Sequence, residues 1–249
     1  MRKNKPFLVL LAEDLSVLLP AIYERSGNFD TIFAETAELQ EHGVFAVDVM
    51  DPDAPLPAPD NFAGVFISGS AAMVTEQAPW MLRVQDWVRE AAASHVPILG
   101  ICFGHQLIAS ALGGRVGFAT RPTYETVSVT VTPAGRDDPL LSVLPADVKL
   151  QSAHSQVVTE LPANVAPLAH ASPGIYAARF AKNIWGVQFH PETDHVDMAV
   201  TIEDVRNDLE ANGIDADSNI ASLEPTPNGP ALMKRFRDIA ISATNQRPA

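Results

Sequence analysis

The chain has 249 residues, 47% of them apolar and 19% charged, with 14 Gly and 20 Pro, and this balance excludes a disordered or collagen-like polymer. A chain of this length can bury roughly 70% of its unfolded surface in a core. The formal charge of −13 makes nucleic acid and anionic lipid poor partners, and one cysteine excludes an internal disulfide or a multi-thiolate zinc site.

The opening run Phe7–Leu11 is apolar and of strand length, and Glu13 and Asp14 follow it with no cleavage pattern, so it reads as a buried first strand. No other apolar run approaches the ~20 residues of a membrane span. A soluble protein in the reducing cytoplasm is expected. Residues 28–41 carry Phe29, Ile32, Phe33, Thr36 and Leu39 at helical spacing, with Asn28 or Asp30 as the cap. Strands follow at 45–50 and 62–68, separated by a Pro-rich surface loop at 51–59. A helix is predicted over 80–94, a strand over 96–101, and a second helix over 103–112, closed by Gly113-Gly114. This alternation implies a parallel sheet covered on both faces.

The middle of the chain changes character. Thr126–Thr132 is a β-branched alternating run ending in the turn Pro133-Ala134-Gly135, and 183–189 is a further short strand. An antiparallel addition to the parallel sheet is expected. Beyond Glu192 the pattern is helical, with one stripe through Met198, Ile202, Val205 and Leu209, ended by Gly213. A second runs through Leu232, Met233, Phe236, Ile239 and Ala240, after a loop at 224–230. No repeat or linker is evident, so one domain over 1–249 is predicted, with a core at 7–192 and a helical extension at 193–249.

Cys102 lies in Gly100-Ile101-Cys102-Phe103-Gly104, where an apolar strand runs directly into a helix. A lone cysteine in an apolar run is usually an inert core residue. Here the flanking glycines and the strand-to-helix switch point instead to a nucleophile elbow, a strained turn that lifts its central side chain off the sheet. Free N–H groups at a helix start favour a negative sulfur, and the Phe103 N–H is aimed at an oxyanion formed beside it. Of the seven histidines, His190 sits just past a strand end in Phe189-His190-Pro191-Glu192, with Glu192 able to orient its ring. A metal site from His190, Glu192, Asp194, His195 and Asp197 is the rival. Pro191 and the strand context break the one-face helical spacing such a site needs, and His195 with its acids reads as a solvated helix start.

Gly100-Ile101-Cys102-Phe103-Gly104-His105-Gln106 followed by Phe189-His190-Pro191-Glu192 resembles the class I, triad-type glutamine amidotransferases, most closely the glutaminase domain of GMP synthase. The resemblance runs from about Leu8 to Glu192. It implies an α/β flavodoxin-like three-layer α/β/α sandwich with a mixed, mainly parallel sheet and extra C-terminal helices. It also implies that Cys102 attacks the γ-amide, His190 moves protons and Glu192 orients His190. Ser68-Gly69-Ser70-Ala71 matches the family's Ser-Gly-Gly-Pro oxyanion loop, which would make Ser70 the second N–H donor beside Phe103. Gln106, Ser155 and Gln156 fall at substrate-contacting positions, the last two through the family's His-Ser pair at His154-Ser155. The departures are Ser70-Ala71 in place of Gly-Pro and the lack of anything resembling the synthetase half of GMP synthase. No metal or organic cofactor is implied. Three readings remain open: a glutaminase passing ammonia to a separate synthetase, a free-standing γ-glutamyl hydrolase or peptidase, and a non-catalytic binding module.

Overall fold

A computed structural model describes residues 5–172 and 174–246. Its strands are, in chain order, β1 Phe7–Leu11, β2 Val44–Asp48, β3 Val65–Ile67, β4 Ile98–Ile101, β5 Arg115–Val131, β6 Asp147–Glu160, β7 Pro167–His170, β8 Ile175–Ala181 and β9 Ile184–Val187. The helices are α1 Leu15–Leu18, α2 Pro20–Ser26, α3 Phe29–Thr36, α4 Pro79–Ala91, α5 Phe103–Ala111, α6 Pro133–Arg136, α7 His195–Asp204, α8 Arg206–Ala211, α9 Ala216–Ala221 and α10 Asn228–Gln246.

All nine strands join one sheet in the order β2-β1-β3-β4-β9-β8-β7-β5-β6. The first five in that order pair in parallel, and the remainder is antiparallel. The mixed sheet expected from the sequence is thus present. β1, β3 and β4 lie at its centre and are buried on both faces, which explains their unbroken apolar runs. Phe7, Val9 and Phe66 point to one face, where α3 and α10 pack, while Leu8, Val65, Ile67 and Ile98 point to the other, under α4 and α5. Helices on both faces give a three-layer α/β/α sandwich of flavodoxin-like type. No described helix is long and apolar enough to cross a membrane.

Several elements depart from the sequence expectations. The helix predicted to reach Glu41 stops at Thr36: Glu38 takes a left-handed backbone (φ 56°) and the Leu39 N–H bonds back to the Ala34 carbonyl at 2.8 Å. That is a Schellman-type ending, and it leaves Leu39 buried without extending the helix. The α1–α2 pair was not anticipated, nor was the length of the β5–β6 hairpin. The stripe from Met198 to Leu209 is split at Val205 into α7 and α8. Of the helices after Glu192, α10 covers a sheet face, its Phe236 ring meeting Phe66 at 4.8 Å and Trp185 edge-on at 6.5 Å. The Arg237 guanidinium donates to the Ala37 carbonyl, joining α10 to the end of α3. By contrast, α7 to α9 build a small apolar cluster of their own against Tyr124 and Ala153.

Candidate active site

Cys102 separates the last residue of β4 from the first of α5 and has φ 51°, ψ −102°, a conformation that L side chains rarely adopt. Its own N–H is held by the Val187 carbonyl of β9 at 2.8 Å. The turn is this tight because of the two glycines. A Cβ on Gly100 would lie 2.5 Å from the Gly104 backbone, and one on Gly104 would lie 2.4 Å from the Ile67 carbonyl oxygen. The sulfur is 3.4 Å from the Ala153 carbonyl oxygen and 3.6 Å from Gln188 Nε2. Phe103 opens α5, so its N–H is among those a helix start leaves without an intrahelical acceptor.

His190 follows β9, and its backbone N–H bonds to the Gln151 carbonyl at 2.9 Å, which sets the direction of the chain after the strand. Its Nδ1 is 2.8 Å from Glu192 Oε1. Nε2 has no hydrogen-bond partner among the described residues, and neither has Glu192 Oε2. Burial alone would push the His190 imidazolium down, but the Glu192 carboxylate, followed by the neighbouring Cys102, outweighs it and holds the group well above its ordinary pKa. His154 is opposite in kind: burial, then the charge on His190, lowers it to about 4, and its Nε2 meets the Tyr176 hydroxyl at 3.1 Å. His195 begins α7, where Asp194 caps the helix and Asp197 pairs with Arg25 at 3.1 Å. These acids are thus engaged in a cap and an ion pair.

The loop after β3 closes on the same point. A Cβ on Gly69 would lie 3.2 Å from His190 Cε1 and 4.0 Å from Cys102 Cβ, so glycine lets the loop approach both. Ser68 Oγ accepts from the Ala12 N–H at 2.9 Å. Glu13 braces the next two residues, its Oε2 accepting from the Ala71 N–H at 3.1 Å and from the Ser70 hydroxyl at 3.3 Å. Ser70 Oγ in turn accepts from the Ala72 N–H at 3.0 Å.

Cys102, His190, Glu192, Gly69 and Ser70 all border one cavity of about 130 Å³. The expected substrate contacts distribute differently. The Gln106 amide is buried and donates to the Gln156 carbonyl at 2.7 Å and to Gln188 Oε1 at 3.1 Å. Gln156 is also buried, with its amide on Thr75 Oγ1 at 2.6 Å. Both stand behind the cavity wall rather than on it. Ser155 neighbours the Tyr124 phenol, which does line the cavity and is pushed up by burial and then by the Cys102 charge. Three residues near the sulfur went unassigned in the sequence: Glu13, Tyr124 and Gln188. Gln188 lies inside the motif around His190 and could have been found there, whereas Tyr124 carries no local signal.

Residues 29–205 match the profile of the family Glutamine amidotransferase class-I. The chain belongs to the class I glutamine amidotransferases. Within that family it is 32% identical over 158 residues to a subunit of the glutamine-hydrolyzing GMP synthase of Saccharolobus solfataricus, covering 63% of this chain and 81% of the relative. It is 36% identical over 139 residues to the GMP synthase of Thermomicrobium roseum, where the match covers 56% of this chain and only 25% of that longer protein. Two solved structures share the amidotransferase fold. A glutamine amidotransferase from Thermotoga maritima has a TM-score of 0.69 at 16% identity, covering 97% of this chain and 99% of the other. Another from Methylobacillus flagellatus has a TM-score of 0.68 at 18% identity, covering 98% and 97%.

Proposed function

We propose that this amidotransferase cleaves a γ-glutamyl amide through a thioester on Cys102. The observation that carries the reading is the left-handed Cys102 at the strand–helix elbow, sharing a cavity with His190, whose Nδ1 Glu192 holds at 2.8 Å. The Cys102 thiol passes its proton to His190, and the sulfur attacks the γ-carbonyl carbon, forming the S–C bond and moving the carbonyl π pair onto oxygen. The N–H groups of Phe103 and Ser70 are the donors for that oxyanion, the latter on a loop braced by Glu13. Collapse breaks the C–N bond, and His190 gives its proton to the departing nitrogen. Water then loses a proton to His190 as its oxygen bonds the acyl carbon. The C–S bond breaks and glutamate is released.

Gln106 holds Gln188 against the sulfur, Gln156 anchors Gln106 through its backbone carbonyl, and Ser155 with Tyr124 forms the polar wall for the amino-acid end. The glutamine-hydrolyzing GMP synthase of Saccharolobus solfataricus, whose matching part is a separate chain, favours glutamine as the amide and a separate synthetase as the receiver of ammonia. The apolar lining of the cavity beside Cys102, through Leu15, Leu19, Ile22 and Phe29, favours a free-standing γ-glutamyl hydrolase.

Glutamate release and intact mass, followed on the purified protein with glutamine and γ-glutamyl methylamide, test the reading. The wild type should carry a transient glutamyl adduct and Cys102→Ser none. His190→Ala should lower kcat by about 10²–10⁴-fold, more than Glu192→Gln, since it removes the proton carrier itself. Full turnover by Cys102→Ser would overturn the thioester.

A further inference from the structure

The cavity that exposes Cys102 has two unlike sides. One carries Ser70 and the carboxylates of Glu13 and Glu192, while the Tyr124 ring packs with the α7 cluster. The larger part is apolar, built from Leu15 of α1, Leu19 between the helices, Ile22 of α2, Phe29 of α3, and Met198 and Val205 on and after α7, with Asp197, Thr201 and Asp204 of α7 bordering the cavity beside them. Leu15, Leu19, Ile22, Phe29 and Met198 are all at most 9% exposed. The apolar side is held in place from both ends of the chain, because Arg25 of α2 forms ion pairs with Asp194 and Asp197 at the start of α7. It is thus a built wall with defined residues.

A glutamyl group does not suit that wall. Its ammonium and carboxylate would be stripped of water against Leu15, Leu19, Ile22 and Phe29, whose side chains offer no hydrogen-bond partner. Ammonia does not suit it either, since a water-sized leaving group would leave that apolar lining without contacts. With the glutamyl end on the polar side and the γ-carbonyl at the sulfur, the apolar side is left for whatever is bonded to the amide nitrogen.

We propose that the substrate is a γ-glutamyl amide of an apolar amine, whose alkyl or aryl body packs between α1–α2 and α7, so that the released product is that amine rather than ammonia. The inference rests on the thioester reading above and names the substrate class of the same site. The chemistry is unchanged: the C–N bond breaks, and the amine nitrogen leaves with the His190 proton.

A series of γ-glutamyl N-alkylamides tests it, from methyl through propyl to isopentyl, with glutamine alongside. The alkylamines are nearly equal in basicity, so the leaving-group chemistry is constant and only the contact with the wall changes. The expected result is a kcat/KM that rises roughly threefold to fourfold per added methylene, and by at least tenfold across the series. Ile22→Ala and, independently, Met198→Ala should flatten that gradient. A flat or falling series with glutamine cleaved overturns the inference and leaves the thioester reading standing. A gradient that persists undiminished in both variants overturns it too, because the wall would not be what senses the chain. If the wild type cleaves no member and forms no glutamyl adduct, both readings fall together.

Discussion

The carboxylate of Glu13 accepts a hydrogen bond from the backbone N–H of Ala71 at 3.1 Å, joining the end of the first strand to the loop beside the Cys102 sulfur. This contact, with the one to the Ser70 hydroxyl, fixes the pose of a loop that lacks the glycine and proline usual at its third and fourth positions. Glu13→Ala should therefore lower kcat by roughly 10–10³-fold, the upper figure being that for losing one oxyanion donor. Glu13→Gln keeps an acceptor and should retain more activity. Steady-state kinetics on both variants checks the order. Equal, wild-type kcat values would remove Glu13 from the account of the loop.

Ser70→Gly restores the residue usual in the family, yet it should reduce activity rather than raise it. Ser70 is absent from the residues with a left-handed backbone, so glycine relieves no strain there. The substitution instead deletes the hydroxyl that bonds both Glu13 and the Ala72 N–H. A several-fold fall in kcat with little change in melting temperature is expected. A rise in basal turnover would mean that the loop rests in an inactive pose.

Gly104→Ala should be among the most damaging methyl additions in the chain. The new Cβ would stand 2.4 Å from the Ile67 carbonyl oxygen, a backbone atom of a central strand that cannot swing aside. Overpacking of this kind costs about 3 kcal/mol or more, which lowers Tm by roughly 6–12 °C in a chain of this size. Gly117→Ala is the comparison, since its nearest neighbour is a Thr159 methyl group at 3.3 Å. Calorimetry of the two variants should separate them clearly, and equal Tm values would contradict the packing at the elbow.

His154 gives the molecule an acid-sensitive component. Its folded-state pKa of about 4 lies below the ordinary 6.5, so between those values the unfolded chain binds a proton that the native one does not. The stability it contributes is complete above pH 6.5 and is lost as pH falls towards 4. His154→Gln removes the titration, so its urea midpoint should fall less steeply over that interval than the wild-type midpoint. Parallel curves would show that His154 does not titrate in this range.

The elbow was legible because everything it needs is local. Gly100, Cys102 and Gly104 sit within five residues, and the switch from strand to helix period occurs at the cysteine itself. His190 and Glu192 were legible for the same reason, two residues apart at a strand end. The cavity wall was harder. Leu15, Leu18, Leu19 and Ile22 follow a helical spacing, but Pro20 divides them into two short helices, and their shared face is defined only by α7, far along the chain. Glu13 marked the end of an apolar run and acquired its partners only when the loop after β3 folded beside it. The β5–β6 hairpin hid because its first half is partly exposed and interrupted by a register shift between Phe118 and Thr123. A period of two survived only from Thr126 onward.

The left-handed backbone at Cys102 costs about 1–3 kcal/mol wherever such a conformation is imposed. It is imposed here by β4, paired on one edge with β3 and on the other with β9, whose Val187 carbonyl also holds the cysteine N–H. These are the most deeply enclosed strands of the sheet. The reactive geometry therefore has no softer region of its own in which to fail first: heat should leave the enzyme fully competent until the central pairing gives way, and the curves for thermal inactivation and for global melting should coincide.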